Sequence, residues 1–178
     1  MKKTLLVNSI AIAAMVGSIS VSAELPCDKD PGTSAQVTDT QAQDLTQTEL
    51  QEIRDRVLKR CGLSSKMASN RLPWYFHYEF GRELVKQGAA GDAIEPLQLT
   101  ANMKPESVRE ARMYGAWFID YVPYYQMSVA YAELGQWDSA WDAIRMSENL
   151  VEFSPGDFDY DKFVSLKDRI TQNRAANS

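Results

Sequence analysis

The chain has 178 residues, 44% of them hydrophobic, which suits one globular domain with a short tail. Lys and Arg number 19 against 24 Asp and Glu, for a formal net charge of −5; with no concentrated basic stripe, this balance argues against nucleic-acid binding, where phosphate contacts dominate. The single His, His77, and the two Cys, Cys27 and Cys61, exclude His-rich metal centres, zinc ribbons and iron–sulfur frameworks, so composition favours a binding or structural role over an enzyme and calls for no metal or cofactor.

The first predicted element is an address. Met1-Lys2-Lys3 is a basic start, the stretch from Leu5 to Ser20 is apolar and rich in small residues, and Val21-Ser22-Ala23 has the small-x-small form of a signal-peptidase site. Residues 1–23 therefore read as a signal peptide and the product as exported, periplasmic in a Gram-negative host or secreted, with no membrane association after cleavage. Asn8, Ser9, Gly17 and Ser18 weaken the alternative of a retained anchor. In an oxidising compartment an even count of thiols suits one disulfide, so Cys27 and Cys61 are expected to pair, tying the N-terminus to the folded body. Residues 24–45, rich in Asp, Thr, Ser, Gln and Ala around Pro31-Gly32, bury too little apolar surface to fold and read as a flexible linker.

Residues 46–178 read as an all-α domain. Thr46-x-x-Glu49 is a capping-box signature, and Leu50, Ile53, Val57, Leu58 and Cys61 follow at helical spacing until Gly62. Arg54, Arg56, Lys59 and Arg60 form the polar face of that helix, read as solvated rather than as a docking face. After Pro73, the stripe Trp74, His77, Tyr78, Gly81, Leu84 and Val85 ends at Gly88, and Ala90, Ala93, Ile94, Leu97 and Ala101 carry the next helix to Pro105. Ser107-x-x-Glu110 resembles a second capping box, and the apolar run to Val122 reads as more helix, either extending a neighbour or packing on it as an extra element. Met127, Ala130, Tyr131 and Leu134, then Trp137, Ala140, Trp141 and Ile144, form two further stripes separated by Gly135. A last helix near Asp159–Asn173 carries Phe163, Leu166 and Ile170.

Two of these helix pairs echo each other. At an offset of 47 residues, Tyr78 falls on Tyr125, Gly81 on Ser128, Gly88 on Gly135, Ala93 on Ala140 and Leu97 on Ile144. Small residues at matched positions let paired helices approach closely, and the glycines supply the turns. The pattern, with Phe80-Gly81, Leu84, Gly88, Ala93, Leu97 and Pro105 in one copy and Ala130-Tyr131-x-x-Leu134-Gly135, Trp137, Ala140 and Ile144 in the other, resembles the tetratricopeptide repeat. The copies span about residues 74–106 and 121–154. Ser128 replaces the usual glycine or alanine, the second copy lacks the terminal proline, and the offset exceeds the family's period of about 34 residues, leaving an insertion at 107–122.

The resemblance implies a short helical-hairpin solenoid with flanking capping helices, binding a protein or peptide partner on a concave face. The family's contact positions fall on Tyr75, Tyr78, Arg82 and Lys86 in the first copy and on Tyr125, Val129 and Glu133 in the second. An alternative is a small-ligand or glycan module built on the aromatic cluster of residues 114–125, though such clusters are more commonly core. His77 lies on an apolar stripe with no nucleophile or second His beside it, which reads as a packed side chain rather than a catalytic base. Asp157, Asp159 and Asp161 echo a calcium loop, but Lys162 stands where that loop needs glycine and Asp168 where it needs glutamate.

Overall fold

The computed structural model describes residues 45–177; the expected signal peptide, Cys27 and almost all of the expected linker lie outside the described residues. Among the described residues, six α-helices carry the fold, together with one short antiparallel hairpin.

Helix α1 (Gln47–Arg60) starts on the expected capping box: the Glu49 amide donates to Thr46 Oγ1 at 3.3 Å, and the Thr46 amide donates back to Glu49 Oε2 at 2.8 Å. It ends in a Schellman turn, with Leu63 N–H bonded to the Leu58 carbonyl and Gly62 at φ 66°. Ile53, Val57, Leu58 and Cys61 are buried.

Helices form at both echoing pairs. The first is α2 (Trp74–Lys86) with α3 (Ala90–Met103), the second α4 (Pro123–Glu133) with α5 (Trp137–Asn149). Their turns share one backbone: Gly88 and Gly135 sit at φ 76° and 68°, and the residues after them, Ala89 and Gln136, at φ −88°, ψ 59° and φ −84°, ψ 69°. Gly81 faces across to α3, where an added Cβ would stand 2.6 Å from Leu97 Cγ, so only glycine permits that approach. Ser128, its counterpart, is fully buried and turns its hydroxyl back onto the Tyr125 carbonyl at 2.8 Å. Such a bond satisfies the hydroxyl without needing a partner on the facing helix.

Residues 107–122 depart from expectation. They form β1 (Val108–Arg112) and β2 (Phe118–Tyr121), not helix. The expected capping box is absent: the Ser107 hydroxyl donates to Glu152, and Glu110 occupies a bulge at φ 56°, its amide donating to Asp120 Oδ1 at 3.1 Å. Pairing reaches Val108↔Tyr121 and Arg112↔Phe118 across that bulge. Tyr121 then turns inward and its hydroxyl donates to the Lys104 carbonyl at 2.7 Å, satisfying the end of α3.

Helix α6 (Tyr160–Ala176) follows the 150–159 turn and packs on α5 and α4. Two cores result. The larger joins α1, α2, α3, the hairpin and one side of α4; the smaller joins α4, α5, Phe153 and α6 through Ala140, Ile144, Phe163, Leu166 and Ile170. Helix α4 is the wall between them, since Met127 and Ala130 face the first core and Ala132 the second.

Candidate partner-binding face

Seven residues on α2 and α4 were expected to line one face. Packing divides them. Tyr78 is wholly inside: its hydroxyl donates to the Asp120 carbonyl at 2.8 Å and accepts from Val122 N–H at 3.2 Å, so the hairpin lies over it. Burial pushes its pKa far above the ordinary tyrosine value. It offers no surface to a partner, and its expected contact role is corrected to packing. Tyr75 is likewise buried, edge-on to Trp74 with ring centroids 5.8 Å apart and tilted against Tyr114 at 5.9 Å.

On α4, Tyr125 packs edge-on against Phe153 at 4.7 Å, and burial with the nearby Asp159 charge raises its pKa to about 12. Val129 is half-buried on the second core. Glu133 is half-buried with Oε2 lacking a hydrogen-bond partner, and desolvation raises its pKa against the opposing influence of Arg169 on α6. This half of the expected face therefore looks toward α6 and the 153 turn.

On α2, Lys86 is exposed and Arg82 partly buried. Beneath Arg82 lies a charge network that joins α2 to α1. Glu79, with no exposed area, receives Arg82 Nη2 at 3.2 Å and Arg60 Nη2 at 3.7 Å; Glu83 receives Arg60 Nη2 at 3.3 Å and Arg56 Nη1 at 3.7 Å. Gln87 Nε2 completes Glu83 at 3.2 Å. The basic face of α1, expected to be solvated, thus has two of its arginines turned onto α2, while Arg54 lies over the Phe76 ring at 6.0 Å. Two buried carboxylates are shared by three arginines, of which Arg56 is half exposed while Arg60 and Arg82 are mostly buried (side-chain exposures of 52%, 24% and 18%). Pairing with a fixed carboxylate holds a flexible arginine side chain in one arrangement. Glu79 and Glu83 escaped the sequence reading, although their i, i+4 spacing among the apolar residues of α2 was a visible signal.

A second polar centre was also missed. Glu152, nearly wholly buried, accepts from the Tyr124 and Tyr125 amides at 3.2 and 2.8 Å, capping α4 from a distant turn, and from Ser107. Desolvation raises its pKa, with the Ser107 bond and the α4 amides opposing. Arg109 Nε donates to the Glu152 carbonyl at 3.0 Å, and its guanidinium stands 4.7 Å over Phe153 and 3.4 to 4.0 Å from Asp120, Asp157 and Asp159. Asp157 and Asp159, two of the three acids that echo a calcium loop in sequence, are thus paired with that arginine, and among the described residues no group of three metal-ligating side chains converges. His77 is buried edge-on to Phe76, and desolvation lowers its pKa.

The aromatic cluster splits as well. Tyr121 is inside, edge-on to Trp74 and Tyr78 at 4.8 and 5.0 Å, while Trp117 lies beside Tyr114 and Phe118 is exposed. Among the described residues no helix is long and apolar enough to cross a membrane. Compared with known proteins, the chain matches no family model, no curated protein and no solved structure.

Proposed function

We propose that the chain is an exported protein-interaction module of the tetratricopeptide-repeat kind, a short solenoid of two helix pairs capped by α1 and α6. It acts by non-covalent capture of a protein or peptide partner. The carrying observation is the arginine rim on α1 and α2, held over Glu79 and Glu83 beside Lys86. With Tyr75 and Tyr78 buried and the α4 positions turned toward α6, Arg82 and Lys86 are the contact residues of the expected face, joined by Arg56 and Arg60. The partner segment that suits them is acidic, because guanidinium and ammonium groups recognise carboxylates through charge-assisted hydrogen bonds. The alternative of a sugar platform gains nothing from the cluster at 114–125, since Tyr121, its centre, is inside the core.

The test is a photo-crosslinking amino acid at position 86 in cells exporting the protein, with mass spectrometry of the adducts and a matched probe at Gln172 on α6. A discrete adduct at 86 that disappears with Arg82→Glu, and is missing at 172, supports the reading. Equal labelling at both positions, or an adduct indifferent to Arg82→Glu in a folded protein, rejects this face.

A further inference from the structure

We infer that the loop joining α1 to α2 forms a binding site for a phosphate monoester, gripped by Lys66 and Arg71 beside an apolar floor of Met67 and Ala68. The site shares no residue with the partner face proposed above.

The sequence concentrates positive charge here. From Arg56 to Tyr78 the chain holds five cations (Arg56, Lys59, Arg60, Lys66 and Arg71) and no Asp or Glu, in a protein whose net charge is −5. Arg56 and Arg60 are matched by Glu79 and Glu83 on α2. Lys66 and Arg71 are exposed, and among the described residues neither side chain enters an ion pair or a hydrogen bond. Unmatched cations around one depression draw anions to it.

The loop gives these cations a defined setting. Cys61 and Leu72 pin its ends in the core, and two tight turns lie between them. In the first, Met67 N–H donates to the Ser64 carbonyl at 3.0 Å and Lys66 N–H to Ser64 Oγ at 3.3 Å. The second is a single 3₁₀ turn, Ser69–Arg71, where Arg71 N–H donates to the Ala68 carbonyl at 2.9 Å. The two turns border an open depression of about 580 Å³, lined by Ser64, Lys66, Met67, Ala68, Asn70 and Arg71. That volume is in the range of small-molecule sites.

The lining selects the chemistry. Its charged side chains are donors only, Ser64 and Asn70 add a hydroxyl and an amide that can donate, and no carboxylate is among them. Ser64 Oγ already accepts from Lys66 N–H, so its proton is left to give to an occupant. Donors from both turns engage the three terminal oxygens of a phosphate monoester more fully than the two of a carboxylate. The depression is far larger than one phosphate ion, and Met67 and Ala68 offer apolar contact to the organic group that the phosphate carries.

The test titrates the full exported chain, labelled with nitrogen-15, with phenyl phosphate at about pH 7.5, where the monoester carries close to two negative charges. Amides of residues 64–71 should shift on a saturable curve. Lys66→Gln with Arg71→Gln should weaken binding at least tenfold and each single variant at least threefold, with amide positions elsewhere unchanged. Lys59→Gln, which removes an exposed cation outside the depression, should change affinity less than twofold. Benzoate and inorganic phosphate should each bind at least fivefold more weakly than phenyl phosphate. Shifts that do not saturate, or that spread evenly over the surface, overturn the inference, as does unchanged affinity in either folded single variant. Equal binding of benzoate removes the phosphate preference, and equal binding of inorganic phosphate removes the apolar floor; either also overturns it. Vesicles of phosphatidic acid in phosphatidylcholine separate the two sources of such an ester. Sedimentation with them, blocked by phenyl phosphate and lost in the double variant, assigns a lipid headgroup. Binding of phenyl phosphate without sedimentation assigns a soluble molecule, and both results uphold the site. None of these outcomes alters the crosslinking result at position 86, so the two readings fall separately.

Discussion

Val151 holds a left-handed conformation, φ 53°, at the end of α5, where Glu152 N–H closes a Schellman turn onto the Ser147 carbonyl. Five glycines among the described residues hold a positive φ, whereas here a β-branched side chain takes it while 64% exposed. The side chain gains little from packing, and the conformation costs about 1 to 2 kcal/mol. Val151→Gly should therefore stabilise the protein by about 1 kcal/mol, read as a higher urea midpoint at unchanged slope. Tyr78→Phe tests the opposite case. It removes a donor from the Asp120 carbonyl and an acceptor from Val122 N–H, with no water to replace it in a fully buried site. The expected loss is about 1 to 3 kcal/mol by chemical denaturation.

At the scale of elements, the hairpin is held from outside itself. Glu152 ties Ser107 and the start of α4 together, and Arg109 ties β1 to the 152–159 turn. Glu152→Ala should cost about 2 to 3 kcal/mol, since hydrogen bonds to a charged acceptor are lost and partly offset by relief of its desolvation. The local signature is hydrogen exchange: amides of β1, β2 and the first turn of α4 should speed up more than those of α1. The helices were legible from sequence because each carries an apolar stripe, closed by glycine after α1, α2 and α4, and Thr46-x-x-Glu49 capped α1 as read. The hairpin was not. Its first strand alternates poorly, since the bulge at Glu110 breaks the period of two, and Ser107-x-x-Glu110 imitates a helix start. Phe118-Ile119-Asp120-Tyr121, alternately exposed and buried, was the one local sign of a strand. Of the expected face, Arg82 and Lys86 could be placed on the surface from helical phase. The carboxylates beneath them gained meaning only when α1 packed across α2, which no local pattern encodes.

For the molecule as a whole, three titrating groups shape stability in opposite directions. Burial lowers the pKa of His77, so the folded state binds fewer protons than the unfolded state below about pH 6.5, and stability falls as pH drops through that range. Burial raises the pKa values of Glu133 and Glu152, so the folded state keeps protons that the unfolded state has lost, and stability falls as pH rises from about 4.5 through their folded values. Glu133→Gln isolates one of these. The amide does not ionise, so the variant should gain on wild type at pH 7.5 relative to pH 4.5, measured as the difference in urea midpoints; a gap independent of pH would refute the burial effect. The clasp at Glu152 also bears on how the chain matures. Residue 152 must be available before Ser107 and the α4 amides find their acceptor, 45 and 27 to 28 positions earlier. A polypeptide threading through a pore N-terminus first would hold its hairpin and the start of α4 unfinished until Glu152 emerged, a window in which a chaperone on the far side has the most to grip.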